Sequence, residues 1–600
     1  MKKMPAAAPG KHGIRLVNKA AEFFKKPVNL ISVLALLFLG YTIVVPLWEI
    51  VSHSVRFNEG GSLIHFDLWN RVLGSKVSES LFYKPMLNSL SIAIGTAVLS
   101  LLFGGGLAWL VARTDFAYKK TVMFLAVLPY MLPSWITSFA WLAVFKNDRV
   151  GGSKGLIQAV LHVSPPDWLA YGYIPIVITL TLNYFTFFFL LMSVAFSSMN
   201  SSLEEMAHMT GAPKRTIMRK ITLPLIMPAI LSGFILTFSK SMGSFGVPAF
   251  LGLPIKYYTV STMLHSSMQN RMIADAYILS IILLMVCACL IFFNQKAIGK
   301  RKSFATIGGK GSRTTYQALG KWKRLVNVSV LGGMSLAAFV PLLILFVQSF
   351  MTMHGDFSLS NFTLHYWLGN SDPSIASGEV GVLKNDGILT ALKNSLKIGI
   401  IASIVAAFIG LLLGYVITQK RSSVPARLVE QLSFLPYLIP GIAFSAIYLS
   451  MFAKPFLFIP TLYGTVSLII LISIVNELPF ATRAGSSTMY QIGGELEEAA
   501  VVQGIPWWRR FFSIILPLSK KGLFSSFLLL FISVMKELDL IILLVTPQTG
   551  TLTTLIFNYA EQGYQQYANA IMLIIVAIIL AAYFIAGKVG KVDFSKGIGG

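Results

Sequence analysis

Glu205-Met206-Ala207, three residues, Gly211, nine residues, then Ile221-Thr222-Leu223-Pro224 is a stretch that this chain writes twice. Glu498-Ala499-Ala500, Gly504 and Ile514-Ile515-Leu516-Pro517 repeat it with the same internal spacing, every matched position 293 residues later. Each copy is a polar, charged insert between apolar runs of about 20 residues, the length that carries a helix across the hydrocarbon core of a bilayer. A repeated insert in a repeated apolar domain points to a machine with two equivalent handles.

Such runs recur through all 600 residues, of which 55% are hydrophobic and 12% charged; soluble domains carry about 25% charged residues. The expected fold is an all-α polytopic membrane protein. A net charge of +25 would suit nucleic acid on a soluble protein. Here the basic residues fall in alternate loops, as the positive-inside rule requires, and no nucleic-acid partner is expected. Residues 296–324 hold nine Lys or Arg and no acid, whereas residues 351–390 hold Asp356, Asp372, Glu379 and Asp386 against Lys384 alone. That contrast orients the chain and brings its basic loops to the anionic headgroups of the lipid bilayer. Cys287 and Cys289 point to different faces of one apolar helix and read as small packing residues, so cysteine gives no disulfide framework. No small-residue cleavage site follows the first apolar run from Leu30, which reads as a retained span.

Twelve spans are expected, at 30–52, 87–112, 121–145, 172–196, 226–250 and 274–294, then 326–350, 391–417, 428–453, 462–482, 522–546 and 568–587. Starting inside, both inserts and both termini come out cytoplasmic, as do Arg113, Lys119 and Lys120 and, in the matching loop, Lys420, Arg421 and Arg427. The repeat extends further: Asn88-Ser89-Leu90 returns as Asn394-Ser395-Leu396, and Leu128-Pro129-Tyr130 with Pro133 returns as Leu435-Pro436-Tyr437 with Pro440. An even number of spans per half makes the repeats parallel, related by an axis along the membrane normal. The domains read as a basic N-terminus (1–29), a first six-span domain (30–294, insert 200–224), a basic linker (295–325), a second six-span domain (326–587, insert 493–517) and a tail (588–600). The paired prolines remove backbone donors within a span; the result is either a packing kink or a bend that widens a central pathway.

In the second copy Glu495, Glu497 and Glu498 precede Ala499, Ala500, Val501 and Val502, a short helix with acid at its N-terminal end, where the helix dipole favours negative charge. Gly504 and Pro506 break it, since glycine reaches conformations other residues avoid and proline suits a helix start. Trp507, Trp508, Phe511 and Phe512 interleave with Arg509 and Arg510 in an amphipathic segment that Leu516-Pro517 closes at the membrane surface. The first copy has Pro213, Lys214, Arg215, Arg219 and Lys220 in the equivalent stretch. A loop that merely anchors its flanking helices explains the polarity but not the same spacing twice.

This pattern resembles the signature of ATP-binding-cassette importer permeases. The fold so implied is two parallel six-helix repeats of the type I, binding-protein-dependent importer permease, fused in one chain. The resemblance implies that each insert forms a coupling helix seated on one of two cytoplasmic ATPase subunits. Glu205, Ala207, Leu223 and Pro224, with Glu498, Ala499, Ala500, Leu516 and Pro517, would build that coupling surface. Gly211 and Gly504 would form the turn between two short helices. Met206 stands where the family has alanine, which keeps an apolar helix former but alters the fit. An extracytoplasmic solute-binding protein and a bacterial inner membrane are implied as well. The chain carries no Gly-x-x-x-x-Gly-Lys-Ser/Thr phosphate loop; Gly309-Lys310 and Gly587-Lys588 lack the leading glycine and the hydroxyl residue. It is therefore expected to be a transport subunit and not an enzyme, with no cofactor or metal of its own and ATP-Mg on the partner ATPase.

Ionisable residues at membrane depth default to functional candidates. Lys240 and Ser244 in the fifth span, and Lys536, Glu537 and Asp539 in its counterpart, are candidate pathway-lining residues; a structural ion pair or a snorkelling lysine is the competing reading. Lys536-Glu537-Leu538 with Leu543, Leu544 and Pro547, and Phe245-Gly246-Val247-Pro248-Ala249 with Leu251-Gly252, are similar to the fused permeases of ferric-iron importers. Related fused permeases take up 2-aminoethylphosphonate or thiamine, and these solutes stay open. The eight histidines never fall at ligand spacing, which neither favours nor excludes iron. From another class, an ion-coupled secondary transporter would use Lys240, Glu537 and Asp539 as its coupling set.

Overall fold

The computed structural model describes residues 27–55, 67–199, 201–299, 316–353, 356, 358–420, 423–455, 460–492 and 494–590. Most of the basic N-terminus, much of the linker, the end of the tail, Asn200, Arg421 and Gly493 lie outside the described residues. Among the described residues ten helices are long and apolar enough to cross a membrane: Pro27–Val55, Glu79–Arg113, Asp167–Ser198, Lys214–Gly243, Ile273–Leu290, Gly320–Gln348, Asp386–Gln419, Val466–Gln491, Trp507–Met535 and Gln565–Ile585. Two broken pairs, each counted as one span, bring the number among the described residues to twelve, and the protein is an all-α, multi-pass membrane protein. Among the described residues there is no β-strand, only two isolated bridges.

The prolines do more than kink. Lys119–Met131 ends and Ser134–Phe145 restarts at 91° to it, with Pro133 extended between them (ψ +134°). The equivalent pair, Val424–Tyr437 and Gly441–Phe452, breaks at Pro440 (ψ +137°). A proline that cannot donate, preceded by a residue biased away from helix, separates two helices here.

The chain folds as two compact units. The smaller takes Met1–Trp48, Ile401–Tyr437 and Ile474–Phe531. Its core is Leu411, Tyr415, Met489, Phe511 and Ile515. Pro27–Leu39 packs along Val424–Phe434, so the first span of the chain lies against the third span of the second repeat. Helices Asp386–Gln419 and Val466–Gln491 touch backbone to backbone at Gly410, Gly414 and Gly485.

The larger unit takes Glu49–Ile400, Leu438–Ser473 and Ile532–Gly600. Here Lys84–Arg113 packs on Tyr173–Ser198, and Lys323–Gln348 packs on both arms of the broken pair 119–145. The first span of the second repeat thus lies against the third span of the first. The repeated Asn-Ser pair earns its place by pinning loops. Asn88 donates to the Tyr258 carbonyl (2.8 Å) and Ser89 accepts from Val260 (2.9 Å); Asn394 donates to Gly550 (3.0 Å) and Ser395 accepts from Leu552 (2.9 Å). The end of the linker is tied down as well. Gln317 bridges to the backbone around Thr114, and Asp115 accepts from Lys323 (2.8 Å) and from the Leu319 amide (2.9 Å). Those two donors, Lys323 foremost, hold the Asp115 carboxyl below the usual carboxylate range.

Candidate functional site

Each insert opens with a short helix, Ser202–Met209 in the larger unit and Gly494–Val502 in the smaller. Both end in the same closure. The Ala212 amide donates to Ala207 (3.0 Å) and Gly211 to His208 (3.0 Å); Ile505 donates to Ala500 (3.1 Å) and Gly504 to Val501 (2.9 Å). This Schellman closure requires a left-handed residue after the helix. Gly211 (φ +81°) and Gly504 (φ +72°) supply it, a conformation that costs an L-residue with a Cβ. Pro213 and Pro506 follow with extended backbone and start the next helix. The spacing from alanine to glycine to proline is therefore the hydrogen-bond register of one corner.

The second helix corrects the expectation of a separate short segment closed by Leu-Pro. Lys214–Ile217 and Trp507–Arg510 run through single π turns, Met218–Thr222 and Phe511–Ile515, straight into the next span. The results are unbroken helices of 30 residues (Lys214–Gly243) and 29 residues (Trp507–Met535). Pro224 and Pro517 sit just beyond each π turn, where a widened turn relieves the clash and missing donor of a helical proline. Each insert helix is thus joined by one rigid corner to a membrane span. Glu205 and Glu498 are exposed, Ala207 is half-buried and Ala500 buried. Met209 (87% exposed) and its counterpart Val502 (88%) carry an apolar surface beside the acids.

Sequence reading missed the acid one position earlier. Glu204 accepts from the buried Arg113 guanidinium and from the Thr222 hydroxyl. Its counterpart Glu497 accepts from the Tyr415 hydroxyl and from Gln419 (2.8 Å), with Arg510 Nε 3.9 Å away. Trp507 in turn donates to Tyr415 (3.1 Å). Arg113 and Gln419 hold equivalent places at the ends of the second spans, in register with the Asn88–Asn394 repeat. Extending that repeat across the loops was the signal available.

The candidate pathway residues lie where the long helices stop. The fifth span ends at Gly243 and its counterpart at Met535; residues 244–250 and 536–546, expected within spans, form a short helix (Gly246–Gly252) and turns. Lys240 lies in the last helical turn, and Ser244 is buried just beyond it. The Asp539 carboxylate accepts from the Phe245 and Gly246 amides (both 3.1 Å), satisfying N-terminal donors of that short helix that have no partner within it. Gly246 and Asp539 are themselves counterparts in the 293-residue repeat, so this contact joins equivalent points of the two repeats. Lys536 donates to the Tyr130 carbonyl, freed by the break at Pro133, and sits 4.2 Å from the Tyr130 ring centroid. Glu537 accepts from the Leu540 amide (3.1 Å), and Lys240 and Glu537 both lie within electrostatic reach of Asp539. Asp539→Ala would leave two buried amides without their acceptor, at about 1–3 kcal/mol each. The variant is expected to melt several degrees below wild type in detergent, with Asp539→Asn in between; identical melting curves would remove the capping role. Among the described residues no group of three or more His, Cys, Asp or Glu converges as a metal site.

Two blocks of the chain, residues 100–303 and 406–590, match the family model for the binding-protein-dependent transport system inner membrane component. The chain belongs to this family of permeases. Among relatives, the permease is 24% identical over 526 residues to the ferric transport system permease protein FbpB of Actinobacillus pleuropneumoniae, covering 86% of this chain and 72% of that protein. It is 22% identical over 511 residues to the Fe(3+)-transport system permease protein FbpB 2 of Haemophilus influenzae, covering 83% and 89%. The molybdate/tungstate transport system permease protein WtpB of Pyrococcus abyssi matches 237 residues at 27% identity, covering 39% of this permease and 85% of that protein. Each insert falls inside one of the two matched blocks, so the repeated corner lies within the family's own domain.

Proposed function

We propose that this permease is the membrane subunit of an ATP-driven importer that receives ferric iron from an extracytoplasmic solute-binding protein. The observation that carries the iron assignment is the length of the likeness to ferric transport permeases, which runs through both repeats. The molybdate/tungstate likeness covers less than half the chain. In this reading both termini and both inserts face the cytoplasm of a bacterial cell, and each insert docks on one of two ATPase subunits that bind ATP-Mg. Glu205 and Glu498 meet the ATPase, the apolar surfaces at Met209 and Val502 fill its cleft, and the glycine corner passes its closure to the attached span. Ala207, Ala499, Ala500, Leu223, Pro224, Leu516 and Pro517 shape that corner. Lys240, Ser244, Lys536, Glu537 and Asp539 stand at the breaks beside the pathway.

The test is ATP hydrolysis in proteoliposomes that contain the permease with its co-purifying ATPase. Binding proteins loaded with ferric iron, 2-aminoethylphosphonate or thiamine are added in turn. Stimulation by the ferric-loaded protein, abolished by Glu498→Lys, is expected. Stimulation by another loaded protein would reassign the solute. If no ATPase co-purifies and uptake follows an ion gradient, the chain works as a secondary transporter and the inserts grip nothing.

A further inference from the structure

The two inserts share a shape but not a tether. Glu204 is held by the guanidinium of Arg113, which is only 4% exposed, and by the buried Thr222 hydroxyl. Glu497 accepts hydrogen bonds from the neutral Tyr415 hydroxyl and Gln419 amide, while the Arg510 guanidinium stands 3.9 Å away, beyond hydrogen-bond reach. In each case the tie runs from the first helix of the insert to the end of the second span of the same repeat. The neighbouring Glu205 and Glu498 are exposed. We propose that Glu204 and Glu497 are positioning residues that transmit movement of the inserts to the second spans, the first through a charge pair and the second through neutral donors.

The inference rests on the coupling role assigned to the inserts. The chemistry predicts unequal sensitivity to the same change. Glutamine at 497 still offers an oxygen to Tyr415 and Gln419, and Arg510, which loses a more distant counter-charge, keeps its hydrogen bond to the Ile505 carbonyl. Glutamine at 204 strands a buried guanidinium without its counter-charge, which is strongly unfavourable. Neutralising both partners, as Arg113→Gln with Glu204→Gln, removes the stranded charge and imitates the amide found at Gln419.

The experiment compares wild type, Glu204→Gln, Glu497→Gln and the double variant in the reconstituted complex. The probe is the ferric-loaded binding protein, or the aminoethylphosphonate- or thiamine-loaded one if that is what stimulates wild type. The readouts are solute taken up per ATP hydrolysed and the amount of complex recovered with its ATPase. Expected is a fall of tenfold or more in solute per ATP for Glu204→Gln, a fall of two- to threefold for Glu497→Gln, and recovery to at least half of wild type in the double variant. Complex recovery is expected to stay within twofold throughout. A Glu204→Gln ratio within twofold of wild type, or one that falls only because the complex no longer assembles, overturns the proposal while leaving the importer reading intact. Absence of ATP-driven uptake in wild type itself overturns both.

Discussion

In the proposed importer, a Gly504→Val variant is expected to assemble with the ATPase at wild-type levels yet to move about tenfold less solute per ATP hydrolysed. No atom lies within 4 Å of a Cβ placed on Gly504, so the substitution meets no steric obstacle. The difficulty is the backbone, which holds φ at +72°, where an ordinary L-residue costs about 1–2 kcal/mol and a β-branched one is a conformational outlier. The chain escapes by opening the corner, and the Ile505–Ala500 and Gly504–Val501 hydrogen bonds are lost together. Helix Gly494–Val502 then hangs loosely from the span that follows it. A penalty of about 1.4 kcal/mol on the closed corner is a tenfold shift in its population. Gly504→Asn, which tolerates left-handed backbone better, is expected to keep much of the coupling. Equal coupling ratios for wild type, valine and asparagine would mean that the angle of the corner does not matter.

A Gly485→Leu variant is expected to fail earlier, with at least a tenfold drop in properly folded protein recovered from membranes. A Cβ on Gly485 would lie 2.1 Å from the Gly410 carbonyl oxygen, and one on Gly414 would lie 2.4 Å from Gly485 carbon. These neighbours are backbone, so no rotamer change relieves the overlap, and the helices must separate. Overpacking against mobile side chains costs about 1–3 kcal/mol; separating two backbones forfeits more, because close approach at small residues drives helix association in lipid. Gly104 makes the corresponding crossing in the first repeat, where a Cβ would lie 2.3 Å from the Phe185 carbonyl oxygen. Gly332, with nothing within 4 Å, provides the control: Gly332→Leu should accumulate normally. Monodisperse protein from Gly485→Leu at the control's yield would show that the crossing is looser than its geometry.

Both predictions use positions with different legibility in the sequence. The corner at Gly504 was readable, because glycine and proline at fixed distances from an alanine specify a local hydrogen-bond pattern. The long spans were readable for the same reason, since a helix in lipid satisfies its own backbone. The ends of the fifth and eleventh spans were not. Residues 244–250 remain apolar enough to pass for a span, and the break there depends on Asp539, almost 300 residues away, capping the freed amides. Glu204 was hidden for a related reason. Beside Glu205 it is one acid of two, and only the fold reveals that one turns inward to Arg113 while the other remains exposed.

The exchange of first spans between the repeats sets a timetable. Pro27–Leu39 is made well before the helix it packs on, Val424–Phe434, which is completed about 400 residues later. At roughly 5–20 residues per second of synthesis, the first span waits some 20–80 s for its partner. The reciprocal span, Lys323–Gln348, finds residues 119–145 already made. One half of the interlock forms as the chain emerges, and the other closes only when the second repeat arrives; a newly made permease therefore passes through a long interval with the face of Pro27–Leu39 that Val424–Phe434 covers still open.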